Sequence, residues 1–293
     1  MAARKIVCTN EDGLELILTD TFSPFVLESC EGIYEFKNKV STSENTMTDG
    51  ATYQGSVTSM RNIILTLRDR PEADHRANRA LLYNLFKPKS PGKFEYIEND
   101  ESRSISYYVE QVYVTGEERS RRATISLLCP DPFFVAPDDI TVQMAGWVSN
   151  FEFVHEFLDE GETFGDRINE KIKSIENSSA ADNIGLTIKL EAGGPVVSPT
   201  LYHIEQNESI TVGTEANPLS MANGDVVIIT TGTNDKHVYL VSSGVKTEIN
   251  EYLSEESEFL QLMHGTNTFG YSAVSGEEYL TVTISFRYRY LGV

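Results

Sequence analysis

Tryptophan occurs once, cysteine three times and histidine five times in the 293 residues of this chain, and each scarcity excludes something. Three cysteines (Cys8, Cys30, Cys129) form an odd set with no CxxC pair and no secretory context. A disulfide framework is therefore not expected, and the thiols read as reduced and buried. The histidines (His75, His155, His203, His237, His264) lie far apart, and no two have the i, i+4 spacing that puts two imidazoles on one helical face for zinc. Trp147, alone between Gly146 and Val148, reads as a core residue rather than a sugar-stacking platform. No apolar run approaches the roughly 18 residues needed to span a bilayer. The opening Met1–Ile6 carries charge with no apolar segment behind it, which is not the pattern of a signal peptide. The expectation is a soluble protein made in a cytoplasm, with no membrane insertion.

The motifs of catalysis are missing as well. There is no GxSxG elbow, and no cysteine stands near a histidine in sequence, so an activated nucleophile has no candidate. Gly193-Gly194-Pro195 opens no helix, and neither GxxxxGK[ST] nor GxGxxG occurs, so no phosphate cradle is present. The EF-hand ligand pattern is absent too. No catalytic, cofactor or metal residues are assigned, and an enzyme is not expected.

Acidic residues are what the chain has in abundance. Asp and Glu number 44 against 24 Lys and Arg, for a net charge of −20. The excess is uneven. Residues 1–136 hold 20 acidic against 16 basic side chains, a net of −4, whereas the remainder holds 24 against 8, a net of −16. Such a surface repels nucleic-acid phosphates, so sequence-specific nucleic-acid binding is not expected. At this density adjacent carboxylates (Asp138-Asp139, Glu255-Glu256, Glu277-Glu278) arise by chance and read as solvated surface.

The clearest punctuation is Leu128-Cys129-Pro130-Asp131-Pro132-Phe133-Phe134, where a strand-like run meets two prolines separated by one residue. Proline has no amide proton and a fixed φ, so a central strand stops here. Cys129 then reads as the last buried position of its strand, and Phe133 and Phe134 as anchors for the next segment of chain. The boundary divides the chain into blocks 1–134 and 135–293. In the first, strands are expected at Lys5–Thr9, Leu14–Leu18, Phe25–Ser29 and Tyr34–Val40. Ser41–Gly50 has a single apolar side chain and cannot order itself by burial, so it is either a mobile loop or an arm that orders against a neighbour. Ile63, Leu65 and Leu67 share one strand face. A helix is expected from Pro71, with Glu72 and Asp74 in its first turn and an apolar stripe of Ala73, Ala77, Leu81, Leu82, Leu85 and Phe86, ending at Lys87-Pro88. Its Arg76 and Arg79 read as a solvated or interface face rather than an anion site. Ile105, Tyr107, Val109, Gln111 and Tyr113 are expected on one face of a long strand that turns at Thr115–Glu118 and returns through Ala123–Leu128. The first block thus reads as a β-barrel or sandwich with one helix. The second reads as a β-sandwich, with strands at Gly185–Glu191, Thr200–Glu205, Glu208–Val212, Asp225–Thr230, His237–Val241, Thr268–Ala273 and Glu278–Tyr290. Residues 165–177 fit helix or strand.

In their order, several stretches resemble the distal tail protein (Dit) family of long-tailed bacteriophages, the siphovirus tail components. They are Tyr53–Ser56, Arg61–Leu65, Leu82–Phe86 and Ile125–Phe133, then Gly185–Ile188, Val197–Leu201, Asn223–Asp225, Ser257–Asn267 and Tyr290–Val293. The segment Phe151–Arg167 departs from the pattern, being longer and more acidic. The resemblance implies a mainly β protein whose first domain forms a homohexameric ring and whose second is a galectin-like β-sandwich projecting outward; it also favours strand over helix at 165–177. It implies a structural component of the virion tail tip, made in the host cytoplasm. Its partners would be the tail tube protein, the tail-associated hub protein and receptor-binding or baseplate proteins. An oligomer interface is then expected at the arm (Thr46, Met47, Thr48), at Tyr53 and at Arg76 and Arg79. Two other readings compete: a carbohydrate-binding host-attachment protein acting through the second block, and a cell-wall hydrolase.

Overall fold

The computed structural model describes residues 4–19, 23–44, 49–115, 121–149, 165–179, 181 and 183–293, with only the backbone described for 145–149 and 165–169. The chain divides into two compact units, one of residues Met1–Pro137 with Arg289–Val293 and the other of Asp138–Tyr288. Residues 289–293, expected from the sequence in the second block, thus group with the first unit.

In the first unit β1 (Arg4–Asn10), β2 (Glu15–Leu18), β3 (Phe25–Glu31), β4 (Asn38–Glu44), β5 (Ala51–Thr58) and β6 (Arg61–Asp69) precede α1 (His75–Leu85). After the helix come β7 (Pro91–Glu98), β8 (Glu101–Val114), β9 (Arg122–Cys129) and the short β10 (Phe134–Val135). One antiparallel sheet runs β2-β1-β7-β8-β9-β6-β3, and β4 and β5 stand apart as a two-stranded sheet. The end strands β2 and β3 are not hydrogen-bonded to each other, so the barrel alternative is corrected: the sheet is open. Its inward side chains, among them Cys8, Phe25, Ile63, Leu65, Leu67, Phe94, Ile105, Ile125 and Leu127, make one core that takes Leu82, Leu85 and Phe86 from the helix.

Two sequence expectations fail here for local reasons. The helix begins later than Pro71. Asp74 is its N-cap, accepting hydrogen bonds from the backbone of Arg76 (2.9 Å) and Ala77 (3.2 Å). The buried stripe is consequently Asn78, Leu82 and Leu85, with Ala77 exposed and Asn78 donating to Asp69 at 3.0 Å. On β8 the register shifts between Val109 and Gln111. This bulge reverses the alternation, so Val112 and Val114 pack on the core while Tyr113 is exposed.

The second unit contains β11 (Ile140–Ser149), β12 (Gly165–Asn169), β13 (Ile172–Asn177), β14 (Ile184–Gly185), β15 (Thr187–Ala192), β16 (Val196–His203) and β17 (Glu208–Thr211). These are followed by β18 (Ser220–Met221), β19 (Val226–Gly232), β20 (Asp235–Ser242), β21 (Val245–Glu248), β22 (Gln261–Leu262), β23 (Gly265–Ser275) and β24 (Leu280–Phe286). A seven-stranded sheet, β12-β11-β24-β15-β19-β20-β21, and a five-stranded one, β13-β23-β16-β17 with β18 on β16, enclose a core that includes Ile188, Leu190, Leu201, Val227, Ile229, Phe269, Val282 and Ile284. This is the expected sandwich, and the ambiguous 165–177 region is strand.

The strand expected from Glu278 to Tyr290 is broken. A single 3-10 turn covers Glu277–Tyr279, β24 stops at Phe286, and β25 (Arg289–Tyr290) pairs with β10 in the first unit. Arg289 pairs with Asp131 and lies over the Phe133 ring at 4.3 Å, while Arg103 lies over Tyr290 at 4.1 Å and donates to Gly292 O at 2.8 Å. The Pro-Asp-Pro segment and the end of the chain are therefore held side by side.

Arg61 makes the deepest of these ties. It is only 5% exposed, and among the described residues its guanidinium has no carboxylate within hydrogen-bond distance. It donates instead to four carbonyls: Pro132 O at 2.8 Å, and Gly32 O, Glu35 O and Leu291 O at 2.5 Å each. Its fifth side is the Phe134 ring, 5.0 Å away. Gly32 must be glycine for this geometry, because its φ is +84° and a Cβ there would stand 2.0 Å from Asn62 O. Lysine at position 61 would keep the charge but not the planar fork. Since a hydrogen bond to a charged group contributes about 1.5–3 kcal/mol, Arg61→Lys is expected to lower the unfolding free energy by about 2–4 kcal/mol in chemical denaturation. A loss below about 0.5 kcal/mol, the scale of ordinary surface substitutions, would contradict the role given to this side chain.

Candidate interaction surfaces

The β4–β5 hairpin is where the polar arm of the sequence resides. Its strands pair from Asn38↔Thr58 to Glu44↔Ala51, with a register shift between Ser41 and Thr42, and Ser59 N donates to Lys37 O at 2.7 Å at the root. The tie that sets its base is Arg61, three residues after β5, which holds the Glu35 carbonyl at the other foot. Every residue of β4 is exposed, as is nearly all of β5. Cross-strand side-chain bonds are few: Gln54 Nε2 to Ser43 Oγ and, within β5, Tyr53 Oη to Ser56 Oγ, both 2.9 Å. A two-stranded ribbon is marginal in water unless a face or an edge finds a partner. Exposed apolar side chains stand on both sides of it: Val40 (55% exposed) and Tyr53 (62%) share one face and Val57 (65%), opposite Lys39, lies on the other, with Tyr34, Phe36 and Met60 beside its root.

Of the residues expected at an interface, Thr46, Met47 and Thr48 lie outside the described residues. Tyr53 stands exposed on this ribbon, while Arg76 and Arg79 stand exposed on α1, a separate element, and neither arginine forms an ion pair among the described residues. The acidic Phe151–Arg167 stretch lies outside the described residues or is described in backbone only, as does the tip of the turn at 116–118. Trp147 sits on β11, where the backbone alone is described.

Groups with chemical potential are few among the described residues. Cys8 and Cys129 are buried and Cys30 is half-buried, none in a disulfide. Burial pushes Cys30 and Cys129 up to about 12, and Cys8 higher still, so none is a thiolate near neutrality. Among the described residues no cluster of three His, Cys, Asp or Glu side chains could hold a metal ion. Two carboxylate–imidazole pairs are within hydrogen-bond distance among the described residues, His75 Nδ1 with Asp69 at 2.5 Å and His237 Nδ1 with Glu248 at 2.6 Å. No hydroxyl or thiol is hydrogen-bonded to either imidazole, so the pairs lack the nucleophile of a catalytic triad. The first instead ties the end of β6 to the first turn of α1.

His203, at the end of β16, is a residue that the sequence did not single out. It is 1% exposed and stacks on Phe269 with ring centroids 4.8 Å apart. By distance and angle, neither ring nitrogen has a hydrogen-bond partner among the described residues. The nearby Asn267 amide is spent on the Met263 and Gly265 carbonyls, and Glu205 approaches Nε2 only to 3.6 Å. Beside it, Lys171, Ile172, Tyr202, Ile204, Asn207, Glu208, Ser209 and Gly270 line a groove of about 490 Å³.

No protein-family model matches the sequence, and no curated protein matches it. Solved structures do. The crystal structure of the SPP1 Dit (gp 19.1) protein, described as a paradigm of the hub adsorption apparatus in phages infecting Gram-positive hosts, superposes with a TM-score of 0.66 at 14% identity, over 98% of this chain and 99% of that one. A chain of the phage P2 baseplate in its activated conformation with Ca gives 0.55 at 12% identity, and one from the form with Sr gives 0.54 at 10%, each over 100% of both chains. The fold is thus that of phage tail-hub and baseplate proteins from end to end.

Burial holds the His203 pKa below its ordinary 6.5, against the opposing pull of Glu205 and Glu208. The folded chain therefore takes up this proton later than the unfolded one as pH falls. The contribution of the neutral ring is full above about pH 6.5 and is lost as pH falls through the lowered folded value. His203→Phe, which keeps the stack on Phe269, is expected to flatten the decline in melting temperature between pH 8 and pH 5. An unchanged slope would show that the acid sensitivity lies elsewhere.

Proposed function

We propose that the protein is a distal tail (Dit) protein of a long-tailed bacteriophage, a non-enzymatic structural hub of the virion tail tip. Copies assemble through the first unit into a homohexameric ring. The ring joins the tail tube to the tail-associated hub protein and to the receptor-binding or baseplate proteins, with the second, galectin-like unit projecting outward. Synthesis is in the host cytoplasm. The observation that carries this reading is the likeness over the whole length of both chains, which involves both units rather than one common β module.

Three physical features support self-association through the first unit. The β4–β5 ribbon has exposed apolar side chains and unpaired edges, which a neighbouring subunit would cover. Burying Val40, Tyr53 and Val57 would stabilise the assembly by about 1.5–3 kcal/mol per side chain before ordering costs. The −4 half of the chain is also the half whose copies approach with least repulsion, since the other carries −16. A ribbon that reaches onto the next copy makes a heterologous contact, and such contacts close into a ring when the rotation divides the circle. Arg76 and Arg79 would face the acidic surface of an adjoining copy or partner.

Deleting residues 41–50, or replacing Tyr53 and Val57 together by lysine, is expected to leave a folded monomer that still melts cooperatively, at a lower temperature than the assembled chain. The intact chain at micromolar concentration is expected to scatter light with six times the chain mass. Assembly that survives both changes would remove the ribbon from the interface, and a strictly monomeric intact chain would count against the ring itself.

A further inference from the structure

The helix α1 has an outward face that no described residue covers. Asn78, Leu82 and Leu85 are buried on one side, while Arg76, Arg79, Ala80 and Tyr83, at i, i+3, i+4 and i+7, are exposed on the other. Tyr83 is 51% exposed. Neither arginine serves the helix itself. Arg76 lies in the first turn, where the helix dipole disfavours a cation, and the two guanidiniums stand at i, i+3, where like charges repel. Other arginines are matched within the chain: Arg4 to Glu98, Arg122 to Glu28, Arg287 to Asp139 and Arg289 to Asp131. His75, at the start of α1, is held by Asp69, and Lys87, beyond its end, by Asp12. Arg76 and Arg79 have no such partner among the described residues. Arginine and tyrosine are also among the residues richest at the energetic centres of protein interfaces.

The complement to this face is carried by the second unit of the same chain. Glu251, Glu255, Glu256 and Glu258 are all exposed and fall within one short segment that begins in a 3-10 turn at Asn250–Tyr252. The segment is fastened along β17 and the residues after it. Gly213 N donates to Tyr252 O at 2.8 Å, Ser254 N to Thr211 O at 3.2 Å and Glu258 N to Ser209 O at 2.8 Å, while Ser257 Oγ accepts from Thr211 N at 3.0 Å. The four carboxylates are therefore held as a ridge, and none forms an ion pair among the described residues. Lys236 lies over the neighbouring Phe259 ring at 5.4 Å and pairs with none of them. Each copy thus offers one unpaired cationic helix face and one unpaired anionic ridge, which form no ion pair with each other within the chain. A nucleic acid would meet the net charge of −20, whereas a second copy brings the matching ridge with it.

We propose that α1 of one copy docks through Arg76, Arg79 and Tyr83 on the Glu251–Glu258 ridge of an adjoining copy. The guanidinium forks pair with carboxylates of the ridge, and the Tyr83 ring packs between them. The contact is heterologous, helix of one copy to ridge of the next, as a closed ring requires. It rests on the reading of the chain as a self-assembling hub, and it is separate from the contact made by the β4–β5 ribbon.

The test uses the full chain carrying Arg76→Lys and Arg79→Lys, which keep the charge and supply amines that a carbodiimide couples to adjacent carboxylates. Isotope-labelled and unlabelled chains are mixed, cross-linked at low ionic strength, and mapped by mass spectrometry. Linkages from positions 76 and 79 to Glu251, Glu255, Glu256 or Glu258 that join labelled to unlabelled chains are expected. In parallel, Arg76→Glu with Arg79→Glu is expected to weaken self-association about tenfold, and adding Glu255→Lys with Glu256→Lys to restore it. All of these positions are exposed, and circular dichroism checks that each variant is folded. An intact chain that assembles without such linkages, linkages found only within one chain, or association indifferent to charge reversal would overturn the docking and leave the hub reading standing. An intact chain that stays monomeric would overturn both.

Discussion

One guanidinium holds the first unit to its purpose. Arg61 collects the carbonyls of Gly32 and Glu35 at the root of the ribbon, of Pro132 in the segment that leaves the unit, and of Leu291 in the segment that returns to it. No carboxylate is hydrogen-bonded to it among the described residues; its charge is spread over four backbone dipoles and an aromatic face. Burial pulls the Arg61 pKa below its usual value, which is a measure of how much these acceptors must offset. A side chain that must satisfy four directions at once tolerates little displacement of any of them. The feet of the ribbon and both crossing segments are therefore fixed by a single residue, and Arg289 and Arg103 repeat the device on Asp131, Phe133, Tyr290 and Gly292.

A rigid root under an unsupported ribbon is the arrangement expected of an assembling part. The ribbon buries almost nothing of its own, while the sheet from which it departs has a full core including Phe25, Phe94, Tyr107 and Phe134. The second unit is built on the opposite plan, closed by two sheets over its own apolar core and carrying most of the negative charge. Its exposed apolar side chains are not spread evenly, since Ile172, Tyr202 and Ile204 gather at one groove. Under the proposed function the two units divide the work, one for assembly and one for presenting a surface.

Much of this was legible in the residues. The proline pair at Pro130 and Pro132 does end a strand, and Cys129 is its last buried position. Alternation placed Ile63, Leu65 and Leu67 correctly, because a strand with one buried face writes its period directly into sequence. The errors have physical causes that a period cannot carry. The β8 bulge exchanges the faces of Gln111–Val114, a change invisible without the partner strand. The α1 boundary depended on whether Asp74 would cap or lie within the helix. The final strand broke because Arg289 and Tyr290 pair with residues more than 150 positions earlier, through contacts such as Arg289–Asp131. The arm at 41–50 was expected to be unable to bury itself, and its described residues, 41–44 and 49–50, are exposed; what the residues did not reveal is that 41–44 pair with β5 as a ribbon, in which polar residues satisfy a ladder without a core. The groove was out of reach, because Ile172, Tyr202, Asn207 and Gly270 converge only through register.

The central claim, a ring-forming hub, is tested most directly by electron microscopy of the purified full-length chain in negative stain. Closed particles with six-fold symmetry and a central opening are the predicted result. A field of single chains at micromolar concentration, or open filaments in place of rings, would contradict it.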